Sequence, residues 1–104
     1  MQEFLYNVYV DPAAYGKMYA HIRFLAQVSV PAAERLYDAL NQAIKALKEN
    51  PESCPSYTPQ KPITATLRYK LCAKRYRIVF ETVGNAVYVY DIQDCRQDAD
   101  KRFI

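Results

Sequence analysis

Glycine is almost missing from this chain: 104 residues contain two, Gly16 and Gly84. No glycine-rich loop is therefore available to cradle a phosphate. Histidine occurs once, as His21, inside a helical pattern and far in sequence from any cysteine. That excludes the usual mixed zinc site, and the sequence predicts no metal and no cofactor. The three cysteines, Cys54, Cys72 and Cys95, are odd in number and show no C-x-x-C spacing. They read as reduced thiols and point to a cytoplasmic protein. Cys95 beside Arg96 has no partner base, so nucleophilic cysteine chemistry has little support. The start, MQEFLYNVYV, lacks the basic region and cleavage site of a signal peptide. No charge-free run approaches the ~20 residues of a membrane helix, so no membrane partner is expected.

What is present is ordinary globular material with one bias. Hydrophobic residues make up 51% and charged residues 24%, within reach of a single core and a single domain over residues 1–104. Ten tyrosines against two glycines suggest a compact α+β module with short connections. The net charge of +3 is unevenly spread. Residues 1–60 hold five Lys or Arg against six Asp or Glu, and residues 61–104 hold nine against five. A basic C-terminal half suits a polyanion or an acidic partner, and equally a merely soluble basic surface.

Along the chain, Phe4–Val10 reads as a strand, closed by Asp11-Pro12. Asp11 and Pro12 then open a helix over about 12–28, with Tyr15, Met18, Tyr19, Ile22 and Ala26 on one face. Ser29-Val30-Pro31 breaks it. A second helix over about 31–49 carries the stripe Ala33, Leu36, Tyr37, Leu40, Ile44 and Leu47 and stops at Asn50-Pro51. Residues 50–62, with four prolines, read as a loop. Three strands follow, about Thr64–Cys72, Tyr76–Val83 and Ala86–Gln93, the last two joined by Gly84-Asn85 as a two-residue hairpin turn. Asp94–Ile104 reads as a short terminal helix or a loose tail. The expected architecture is α+β: an N-terminal strand, a two-helix hairpin, then three strands, all in one antiparallel sheet of four with the helices on one face.

Strict alternation in Leu67-Arg68-Tyr69-Lys70-Leu71 puts Arg68 and Lys70 on one face. In Tyr76-Arg77-Ile78-Val79-Phe80 it separates Arg77 from Tyr76, Ile78 and Phe80. With the latter three packed on the helices, Arg68, Lys70 and Arg77 are expected together on the free side of the sheet. Such a set can hold a phosphate, and Tyr69, Tyr88 or Tyr90 could offer stacking surfaces to bases. The plainer alternative is cationic protection of exposed strands. Glu81, Asp91, Asp94 and Asp98 read as solvated carboxylates rather than a general base, and His21 as a packing or helix-surface residue.

The segments LRYKL, YRIVFE, Gly84-Asn85 and VYVYDIQDCRQD, in that order, together with SVPAAERLYDALNQAIKALKENPESCP, resemble the RelE/ParE family of toxins from bacterial type II toxin–antitoxin systems. The resemblance spans nearly the whole chain and implies an antitoxin protein as partner. Two activities occur in that family: mRNA cleavage at the ribosome and inhibition of DNA gyrase. By resemblance to the cleaving members, Arg77 takes the place of the arginine at the scissile phosphate. Lys70 takes that of the group favouring the 2′-alkoxide, and Arg96 that of the donor to the leaving oxygen. Arg68, Tyr69, Lys74 and Arg75 are the implied RNA contacts. An mRNA endoribonuclease is the first expectation and a gyrase inhibitor or inactive binding protein the alternative. Two departures stand out: no histidine lies near Asp94-Cys95, and the tail carries Phe103 where some members have a tyrosine.

Overall fold

The computed structural model describes residues 5–96 and 103–104. The first strand, β1, is Asn7–Val10, shorter than expected, and Phe4 lies outside the described residues. Helix α1 runs Pro12–Ala26 and α2 runs Val30–Ala46. Both starts are encoded locally. The Asp11 carboxylate accepts from the Ala13 N–H at 2.8 Å, and the Ser29 hydroxyl from the Ala32 N–H at 3.2 Å, each with a proline in the first turn. Past α2, Asn50 takes a left-handed conformation at φ 52° and leads into a 3-10 turn, Pro51–Ser53.

The sheet departs from expectation in two ways. It has five strands in the order β1-β5-β4-β3-β2, with β2 (Ser56–Tyr57), β3 (Leu67–Cys72), β4 (Tyr76–Val83) and β5 (Ala86–Asp94). The added strand β2 lies within the segment read as a loop. The sheet is also mixed, because β1 runs parallel to β5, Asn7 opposite Ala86 through Val10 opposite Val89. The long connection that a parallel pair requires runs here through both helices and the strands β2, β3 and β4. The other neighbouring pairs are antiparallel. Gly84, first of the two residues joining β4 and β5, sits at φ 59°, where a II′ hairpin turn needs glycine.

The core lies between the helices and one sheet face. Tyr76, Ile78 and Phe80 from β4 and Val87, Val89 and Ile92 from β5 meet Ala14 and Met18 of α1 and Leu36, Leu40 and Ile44 of α2. Each fully buried aliphatic or aromatic side chain there contributes about 1.5–3 kcal/mol. The stripe on α2 is as expected except for Tyr37, which is exposed. On α1 the buried residues are Ala14, Met18 and His21, while Tyr15 and Tyr19 face solvent and stack on each other at 6.4 Å. Hydrophobicity misleads here because α1 is apolar around much of its circumference, so pattern alone does not choose its inner face. Among the described residues, no helix is long and apolar enough to cross a membrane.

β1 stops at Val10, so beyond Val89 the outer edge of β5 has no neighbouring strand among the described residues. Side chains and backbone of α1 and the Phe103 segment meet this part of β5. His21 Nε2 meets the Ile92 carbonyl at 2.8 Å, and since a carbonyl only accepts, Nε2 carries the proton. Lys17 Nζ of α1 reaches the Asp91 carboxylate at 2.8 Å, and the Phe103 N–H donates to the same carboxylate at 2.9 Å.

Candidate functional site on the open sheet face

Cross-strand register settles the fate of the three cations. Cys72 pairs with Tyr76 across the turn residues Ala73, Lys74 and Arg75, so Lys70 faces Ile78 and Arg68 faces Phe80. Directly opposed residues share a face. Arg68 and Lys70 therefore lie on the helix-side face, and Arg77, opposite Leu71, lies on the open one. The expected common cation face does not exist. Alternation within each strand was read correctly, but the odd number of turn residues joins the faces the other way round.

Arg77 alone of that set stands on the open face, and its setting is specific. Its guanidinium carbon lies 5.5 Å from the ring centre of Tyr69 and 5.8 Å from that of Tyr57. The two rings meet edge to face at 6.4 Å. Tyr57, Leu67 and Val79 form a second small core under this cage, with Tyr69, Tyr90 and Ile104 against it. Arg77 Nε is buried with no hydrogen-bond partner, while the residue as a whole is half-buried. The stem and inner N–H are thus held and the rest of the fork reaches the surface, which suits bidentate contact with a carboxylate or phosphate.

The other expected site residues are dispersed. Arg68 Nη1 donates to the Cys54 carbonyl at 2.7 Å, a structural tie to the proline-rich segment. Lys70 is half-buried near Cys54 and Cys72, whose thiols are pushed up by burial and only partly pulled back by its charge. Lys74 and Arg75 are exposed on the β3–β4 turn and line a cleft of about 330 Å³ with Arg35 and Leu36. Arg96 follows β5 and grips Asp94 side-on, Nε to Oδ1 at 3.2 Å and Nη2 to Oδ2 at 3.1 Å. Burial alone would raise the Asp94 pKa, but the hydrogen bonds and charge of Arg96 outweigh it and lower it.

Asp94 pairs with Tyr76, so the Arg96 pair belongs to the helix-side face. There His21, Tyr76, Asp94, Lys17, Phe24 and Phe103 line a cavity of about 450 Å³, which is not the Arg77 site. The His21 ring tilts against Tyr76 at 5.4 Å, a packing role.

Two carboxylates read as solvated are not. Asp91 is 0% exposed and Asp94 9%. Asp91 lies on the open face opposite Val79, paired with Lys17. Glu81 accepts a short hydrogen bond from Tyr90. Among the described residues no carboxylate or histidine is thus poised as a base beside Arg77, and Asp98 lies outside them. Sequence reasoning missed Tyr57, Gln93 and the role of Asp91. Its only signal was an aromatic inside a proline-rich segment, too weak to mark a two-residue strand.

Residues 8–99 match the family described as the ParE toxin of the type II toxin–antitoxin system parDE. The protein belongs to that family and is a toxin of a type II toxin–antitoxin system, with an antitoxin as its implied partner. No curated protein matches it.

Proposed function

We propose that this toxin acts by binding DNA gyrase and blocking it, with Arg77 and its tyrosine cage as a principal contact, rather than by cleaving mRNA. The observation that carries the reading is the separation of the cations. RNA cleavage through a 2′-hydroxyl needs a proton acceptor, a phosphate clamp and a leaving-group donor around one phosphorus. Arg77, Lys70 and Arg96, the residues matched to those roles, belong to two faces of the sheet. Arg96 is further committed to Asp94. A single caged arginine on an open face is enough for a binding contact, where planarity and fixed orientation lower the entropic cost of association.

The second reading, mRNA cleavage at the ribosome, is favoured by one observation. Arg77 and the half-buried Tyr69 stand together on the open face, a phosphate contact beside a stacking ring. In that case the ribosome supplies the missing groups and the orientation. One preparation decides between them. Purified protein added to gyrase should stop supercoiling of relaxed plasmid, and translating ribosomes should keep their mRNA intact. Discrete cuts within codons, with supercoiling unaffected, replace this reading by the second.

A further inference from the structure

The cage around Arg77 is not built by the sheet alone. β2 is two residues long and lies at the sheet edge, so its ladder holds Tyr57 through only two cross-strand pairs. The Tyr57 hydroxyl adds two bonds. It donates to the Ile104 carbonyl at 2.7 Å and accepts from Gln93 Nε2 at 2.9 Å. Gln93, 1% exposed, sits directly across β4–β5 from Arg77. Its Nε2 also donates to Asp91 Oδ2 at 2.9 Å. Asp91 receives the Phe103 N–H at 2.9 Å and the Lys17 ammonium at 2.8 Å, and that ammonium lies 4.5 Å over the Phe103 ring.

We infer that Tyr57 and the Phe103–Ile104 segment are positioning elements for Arg77: the segment, anchored on buried Asp91, fixes the ring that holds the guanidinium. The arrangement is unusual for a segment that merely covers apolar surface. Ile104 does pack on the Tyr57, Leu67 and Val79 cluster. Yet the attachment runs through a fully buried carboxylate, and buried charge stabilises a fold less than apolar packing of equal volume. What such polar ties supply is a single geometry. Arg77 Nε, buried without an oxygen or nitrogen partner, has no hydrogen bond of its own to fix it. Its orientation depends on the two rings, and one ring depends on the segment.

The inference rests on the reading of Arg77 as the target contact, and its test separates the two. Tyr57→Phe keeps the ring and removes both hydroxyl bonds. Phe103→Ala strips the ring from Lys17 and loosens the same segment from the other end. In the full-length protein, ¹⁵N-resolved NMR reads solvent exchange at the Arg77 Nε–H, which its burial protects in the parent. Exchange there should speed up tenfold or more in Tyr57→Phe, and less in Phe103→Ala, while backbone amides of β4 and β5 keep their protection. Growth arrest by the toxin should fall severalfold, and Tyr57→Phe combined with Arg77→Lys should be no worse than Arg77→Lys alone. Unchanged exchange at Nε, or a rise that only follows the backbone amides, overturns the positioning role. Faster exchange at Nε with full toxicity upholds the positioning and removes Arg77 from the target contact.

Discussion

Arg77 is a charge held by rings. Contacts of this kind contribute about 0.5–1 kcal/mol each at half-exposed positions, and they depend on a planar guanidinium. Arg77→Lys keeps the charge and loses both the stacking and the fork. Toxicity should fall at least tenfold, while the thermal midpoint moves by only a few degrees. Growth assays at matched expression and a melting curve check the two halves separately. A second residue gives a pH signature. Burial, then the hydrogen bond and charge of Glu81, push the Tyr90 phenol up to about 12. Its folded pKa lies above the ordinary ~10, so the fold favours the neutral phenol. That contribution is complete below pH ~10 and is lost as the pH rises through the folded value. An absorbance titration of the folded protein should show a late-ionising tyrosine near the top of the range, absent in Tyr90→Phe.

Among the elements, the β3–β4 connection does the most with the least. Ala73 and Lys74 both take positive φ, 51° and 67°, without being glycine. Left-handed backbone at such residues costs on the order of 1–3 kcal/mol each. The register that follows from this turn opposes Arg77 to Leu71 and Lys70 to Ile78. Ala73→Gly should relieve strain, less the ~0.4–1 kcal/mol by which glycine loosens the unfolded chain. A net gain of about 1 kcal/mol in urea unfolding is the expected outcome, with toxicity unchanged. A loss of stability would mean that the turn is not strained. Helix α2 behaves differently: its cap, stripe and stop are all local, so its position along the sequence was readable to within a few residues.

At the scale of the molecule, chain order and spatial order diverge. The first strand and the last lie side by side, and the helices bury their inner faces mainly against strands from the C-terminal half, with Val8 and Val10 of β1 packed against the same core. Neither half can make this core alone, and short isolated helices are marginal in water. Peptides of residues 1–50 and 51–104 should each show little ordered structure by circular dichroism and recover the native spectrum on mixing. Native helicity in the first peptide by itself would count against this view. The charge imbalance also takes a spatial form. Of the basic C-terminal half, Arg68 is tied to Cys54, Arg96 to Asp94, and only Arg77 of the three strand cations reaches the open face. Net charge therefore says little about where a partner binds.

The sequence by itself determined what local rules control. Asp11-Pro12 and Ser29 started the helices, the second helix stopped at Ala46, a few residues short of the expected Asn50-Pro51, and Gly84 marked the turn between strands placed almost to the residue. Tyr76, Ile78 and Phe80 could be assigned to the core because alternation within a strand is a property of that strand. The order of its motifs also pointed to the toxin family that residues 8–99 match. Only the tertiary structure decided which faces of different strands coincide. Pairing Cys72 with Tyr76 sends Lys70 and Arg77 to opposite sides, and a two-residue turn in place of three would have united them. The parallel seat of β1, the inner face of α1 and the recruitment of Tyr57 likewise depend on partners remote in sequence. Tyr57 reaches Ile104 across 47 residues and Lys17 reaches Asp91 from another element, contacts that only the folded chain brings within hydrogen-bond range.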